Sequence, residues 1–219
     1  GKRGFQRLTI NSGTWNLLGG WAGTGSLTLN DGLVNFNNNL AFGSGLFTVN
    51  GGAIAASGAG LSLGNNFSLN GGLTLGGAQG FGLSGVLSGA GGLTVTNTGV
   101  VTLGGANLFS GGVNLNAGGL VLGNAGALGS GNLTVGGSAS LDTTAGFSLG
   151  NNLVINGGGS LNLLGSNALS LNGSISGAGD LTKSGAGTLT LNGANALTGS
   201  FNLAGGALAL GAGGSLSPT

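Results

Sequence analysis

Residues 173–211 read GSISGAGDLTKSGAGTLTLNGANALTGSFNLAGGALALG, and this stretch decides the fold. Apolar residues alternate with small or polar ones in Leu181-Thr182-Lys183, Leu189-Thr190-Leu191, Phe201-Asn202-Leu203 and Leu208-Ala209-Leu210. Each run closes within a few residues on Gly, Asn or Ser. Short alternation of this kind is the pattern of a strand, and the Gly/Asn/Ser clusters between the runs are turns. A helix is excluded, since each interior glycine costs about 1 kcal/mol relative to alanine.

Outward from this stretch the same unit recurs. An apolar strand ends in a marker of small residues at Asn30-Asp31-Gly32, Asn50-Gly51-Gly52, Asn70-Gly71-Gly72, Asn116-Ala117-Gly118-Gly119, Val135-Gly136-Gly137, Asn156-Gly157-Gly158 and Ala204-Gly205-Gly206. Neighbouring markers lie about twenty residues apart, or about twice that, which is the signature of a solenoid. A longer period is superimposed. Gly60-Leu61-Ser62-Leu63-Gly64-Asn65-Asn66 returns as Gly146-Phe147-Ser148-Leu149-Gly150-Asn151-Asn152, and Gly85 to Leu128 matches Gly173 to Leu216 without a gap. The expectation is a continuous solenoid over 26–219 containing a duplicated four-coil block (about 60–128 and 146–216), preceded by an irregular capping segment, 1–25, that holds Trp15 and Trp21.

Strand side chains alternate between faces, so Leu189 and Leu191 point inward and Thr190 outward. Leucines recurring once per coil form an internal column. The predicted fold is all-β, a parallel β-helix (β-solenoid) of roughly 20–24 residues and three strands per coil, with about nine or ten coils and a length near 45 Å. Asn30, Asn50, Asn70, Asn116 and Asn156 are expected at one corner. They stack there as an amide ladder, or each tolerates the left-handed conformation of its own turn.

The run Gly177-Ala178-Gly179-Asp180-Leu181-Thr182-Lys183-Ser184-Gly185-Ala186-Gly187-Thr188-Leu189-Thr190-Leu191-Asn192-Gly193-Ala194-Asn195, followed by Thr198-Gly199, resembles the passenger-associated repeat of bacterial autotransporters, which carries the autotransporter-associated β-strand pattern. The family positions it matches are Gly179, Leu181, Lys183, Gly185, Gly187, Leu189, Leu191, Gly193, Asn195 and Gly199. The resemblance extends more weakly to Gly85–Leu122. Ala196-Leu197 departs from it, where the family commonly has an aromatic residue; the earlier copy keeps Phe109. The resemblance implies a right-handed β-helix carried to the Gram-negative cell surface by type V secretion, with an outer-membrane barrel domain of its own as partner.

Composition agrees with an all-β solenoid and narrows the chemistry. Of 219 residues, 56 are Gly and only seven are charged, with net charge +1 and 40 % apolar residues. That excludes collagen, which needs a Gly-X-Y period with abundant proline, and differs from the low-hydrophobicity, high-charge pattern of disordered chains. No run of eighteen apolar residues marks a membrane helix, and the strands are shorter than those of a membrane barrel. The first ten residues carry Lys2, Arg3 and Arg7 without a following apolar run, so no signal peptide is read there and the chain is expected to be an internal fragment.

His, Cys and Glu are absent, which excludes Ser-His-Asp and Cys-His catalysis and thiolate or imidazole metal sites. Asp31, Asp142 and Asp180 read as turn residues. Asp180 and Lys183 read as a surface ion pair, and Lys2, Arg3 and Arg7 as a solvated terminus. The functional expectation is a non-enzymatic structural and adhesive surface rod without cofactor or metal, binding no nucleic acid and lacking a direct membrane span. Its expected partners are the barrel domain, a host-surface ligand or further copies of itself. The alternatives are a self-assembling extracellular fibre or biofilm-matrix protein, and a β-helical polysaccharide-degrading enzyme.

Overall fold

The computed structural model describes residues 6–216 except 22. Lys2, Arg3 and the Pro218-Thr219 end lie outside the described residues. Among the described residues, twenty-eight strands of two to six residues wind into one solenoid, and every pairing between two strands is parallel. Residues in register are 19 to 22 positions apart, from Arg7↔Ser26 to Leu153↔Ile175.

Three faces follow one another around the rod, the third from Leu61 onward; the first two coils carry strands on faces I and II alone. Face I holds a six-stranded sheet from Arg7–Ile10 to Leu108–Phe109. After turns over 123–132 it resumes as a four-stranded sheet from Phe147–Leu149 to Ala207–Leu210. Face II is a ten-stranded sheet from Thr14–Leu17 to Ala196–Leu197, which counts ten coils. Face III is an eight-stranded sheet from Leu61–Leu63 to Phe201–Leu203. At about 4.8 Å per coil the rod is about 48 Å long.

The inward columns are the leucine spine. On face II, Val34, Ile54, Leu75, Val95, Leu115, Val135 and Ile155 stack in register, each completely buried. In the early coils the interior is filled by Phe36, Phe42, Phe47, Phe67 and Phe81, whose contacting rings lie 4.8–5.4 Å apart, tilted or edge-on. Burying one such side chain contributes about 1.5–3 kcal/mol as an upper estimate.

Two sequence expectations are revised. The segment 1–25 is not irregular throughout: Arg7–Ile10 and Thr14–Leu17 are strands paired in register with Ser26–Leu29 and Leu33–Phe36. Trp15 belongs to that first coil, 45 % exposed, its Nε1 donating to the Ser12 carbonyl at 3.0 Å. The duplicated block, secondly, does not repeat coil upon coil. Leu93–Val95 lies on face II, whereas its counterpart in Asp180–Lys183 lies on face III; Val100–Leu103 on face III returns as Thr188–Leu191 on face I. The earlier pair, Leu61–Leu63 and Phe147–Leu149, likewise moves from face III to face I. The repeat length corresponds to about four and a third coils, so each second copy is rotated by one face.

Candidate functional site

The polar chemistry is concentrated at the corners, in three kinds of arrangement. The first is an exposed ladder where face I turns into face II. Asn30 Nδ2 donates to Asn11 Oδ1 at 2.7 Å, Asn50 to Asn30 at 2.7 Å, and Asn70 to Asn50 at 2.9 Å. In the later coils Asn192 donates to Asn172 at 2.7 Å and Asn172 to the Ser148 hydroxyl at 2.9 Å. Among the described residues no non-glycine residue has positive φ, so none of these asparagines adopts a left-handed turn. The structure brings Asn30, Asn50 and Asn70 together but not all five expected residues. Asn116 and Asn156 follow strands of face II and stand at the corner between faces II and III, with Gly136 in register between them.

The second arrangement is a set of asparagines that tie consecutive coils from within. Asn107 Oδ1 accepts the Leu87 N–H at 2.9 Å while its Nδ2 donates to the Ala127 carbonyl at 2.7 Å. In the second copy Asn195 Oδ1 accepts the Ile175 N–H at 2.8 Å, and its Nδ2 donates to Ser215 at 2.6 Å. Asn65 donates to the carbonyls of Gly43 and Gly45, and its counterpart Asn151 to those of Gly129 and Gly131. Corresponding residues thus make corresponding bonds one face apart. Each spans a place where a strand begins or ends and a buried backbone group would otherwise lack a partner. Of these, only Asn195 is among the residues that the sequence pattern marks as repeat positions. The recurrence of Gly-Asn-Asn at 64–66 and 150–152 and of Gly-Ala-Asn at 105–107 and 193–195 was the available signal for the others.

The third is Lys183. Its side chain is 1 % exposed and points inward, stacked in register between Leu163 and Leu203, and its Nζ donates to the Gly185 carbonyl. This replaces the expected surface pair with Asp180, whose carboxylate instead accepts the Ser200 N–H at 2.8 Å. Strand parity explains the difference: Leu181 and Lys183 share the inward face and Thr182 does not. Where the first copy has Val95 and Asn97, the second has Lys183 and Gly185. The donor to corner carbonyls moves from the Asn97 amide, which binds Gly76 and Gln79, to the lysine.

The remaining repeat positions have structural places. Leu181, Leu189 and Leu191 are buried. Gly179, Gly185, Gly187, Gly193 and Gly199 sit where a Cβ would run into a backbone carbonyl of the coil beneath.

Each aspartate is engaged with backbone. Asp31 accepts the Gly32 N–H at 2.7 Å, and Asp142 accepts the N–H groups of Thr143 at 2.9 Å and Ser166 at 3.3 Å. Asp142 and Asp180 are both on face III but two coils apart and four positions apart along the strand register. That places their backbones about 16 Å from each other. A pair of glycosidase carboxylates stands at roughly 5–9.5 Å. Among the described residues no group of three or more His, Cys, Asp or Glu side chains converges, and no helix is long and apolar enough to cross a membrane.

A family model described as passenger-associated-transport-repeat matches residues 93–122 and 181–210. The two matches, set in a β-solenoid, fit an autotransporter passenger domain, a class secreted to the Gram-negative cell surface or beyond. No curated protein and no solved structure matches the chain.

Proposed function

We propose that the chain is a non-enzymatic structural and adhesive rod, part of a type V secreted autotransporter passenger that supports outward folding, adhesion or autoaggregation. The observation that carries this reading is the rotation of the matched repeat. Residues 93–122 run over faces II, III, I, II and III, whereas 181–210 run over III, I, II, III and I. A repeat that served a ligand would hold its residues on one face. Here the shared features, inward leucines, corner glycines and the coil-bridging Asn107 and Asn195, serve stacking whichever face they fall on. One continuous rod, in which each coil templates the next, suits a chain that emerges as an extended segment and folds progressively outside. Seven charged residues leave little to obstruct passage through a barrel partner.

The test is to join the chain upstream of an autotransporter barrel domain in a Gram-negative host and follow protease protection during export. Protection over 173–211 is expected before protection over 7–90. Simultaneous or reversed protection overturns the reading. Low charge also favours association between molecules, the basis of the alternative extracellular fibre. Electron microscopy of the purified chain separates the two readings, since filaments support the fibre and short monodisperse rods support the passenger.

A further inference from the structure

We propose that the outer surface of face I over the first coils is a binding site for an uncharged, extended polysaccharide lying along the rod axis. The inference rests on the coil register and does not depend on the export route. A second repeat, Thr/Ser-x-Asn, occurs as Thr9-Ile10-Asn11, Thr28-Leu29-Asn30, Thr48-Val49-Asn50 and Ser68-Leu69-Asn70. Unlike the rotating repeat, it advances by one coil each time and so keeps its face: Thr9, Thr28, Thr48 and Ser68 are in register, all outward. The result is two parallel columns, one of hydroxyls and one of amides, with a rung about every 4.8 Å. Leu108, 72 % exposed, stands in the hydroxyl column two rungs beyond Ser68 and ends it.

The hydrogen-bond count shows what the columns leave unused. Asn30 and Asn50 each spend one N–H and one oxygen lone pair within the ladder, so each retains a second N–H and a second lone pair. The hydroxyls of Thr28, Thr48 and Ser68 have no side-chain hydrogen bond within the described residues. Each rung therefore offers a donor and an acceptor beside a hydroxyl, the complement of a sugar hydroxyl that donates and accepts at once. Beside the hydroxyl column, Leu46 (48 % exposed) and Val86 (36 % exposed) stand two rungs apart and offer apolar contact for the carbon face of a sugar ring.

Charge selects among ligands. Among the described residues, the charged side chains at this surface are Arg7 at its first rung and Asp31 at the adjoining corner, and Asp31 already accepts the Gly32 N–H. Between them and Leu108 the surface is neutral, whereas sulfated, phosphorylated or uronic polymers are bound through Arg and Lys. An added peptide strand needs an open sheet edge, and the Leu27, Phe47 and Phe67 strands are paired on both sides. A linear neutral polymer with units commensurate with the coil rise meets the same chemistry at every rung.

The experiment applies the 219-residue chain to microcrystalline cellulose and to chitin beads, then measures affinity for soluble oligosaccharides of increasing length. Retention on at least one solid is expected, with affinity rising over successive sugar units. The triple variant T28V/T48V/S68A removes hydroxyls at nearly constant volume and leaves the amide ladder; it is expected to bind about tenfold more weakly or less, with an unchanged circular dichroism spectrum. The face II control T94V/T134V is expected to bind as the parent does. The proposal is overturned if neither solid retains the chain, if both variants lose binding alike, if anionic polymers bind more tightly, or if the same hydroxyls prove to govern ice growth or self-association instead.

Discussion

Asparagine carries two main tasks in this molecule, a shared exposed ladder and a bridge between coils, and position relative to the strand decides which. Asn50 is exposed and shares its amide with Asn30 and Asn70, so water can replace those bonds when it is lost. Asn107 is 5 % exposed, and its removal strands the Leu87 N–H and the Ala127 carbonyl in a dry corner. Asn107→Ala is therefore expected to cost about 2–5 kcal/mol and Asn50→Ala about 0.5–1.5 kcal/mol, an order that urea unfolding of the two variants checks. Asn30, Asn50 and Asn70 stood out in the sequence because each closes a clear strand at one coil spacing. Lys183 did not read correctly, because a charged residue two positions after an inward leucine obeys strand parity even though its charge argues for solvent.

A strand with its corner, about a third of a coil, is the element on which the rod is built. The same strand serves on any face, as Leu93–Val95 and its copy within Asp180–Lys183 demonstrate. Corners are less forgiving, because there the chain must turn while lying directly on the coil beneath. Gly177 has φ +107, and a Cβ would collide with the Ile155 carbonyl; Gly72 has no such restriction and open space beside it. Gly177→Ala is expected to destabilise by about 2–5 kcal/mol, whereas Gly72→Ala is expected to be neutral or to stabilise by up to about 1 kcal/mol. Thermal unfolding of the pair separates them; equal midpoints would contradict the stacking geometry.

The assembled rod behaves as a one-dimensional stack, since each coil contacts its neighbours and little else. Removing 94–113 joins Leu93 to Asn114, which occupies the register of Thr94. That variant is expected to keep its β-sheet circular dichroism and to shorten by about 4.8 Å in small-angle scattering. Removing only 94–103 leaves half a coil out of step and is expected to abolish cooperative unfolding. Strand class, inward leucines, parallel winding and the approximate number of coils were legible from residue order, because alternation and turn chemistry act over three to six neighbouring residues. Which face a residue occupies was not. Asn116 and Asn156 parted from Asn70, and the second repeat copy stepped round by one face, because face assignment depends on the accumulated length of every preceding coil. Those lengths vary between 19 and 22 residues, and only the packed register of one coil on the next sets them.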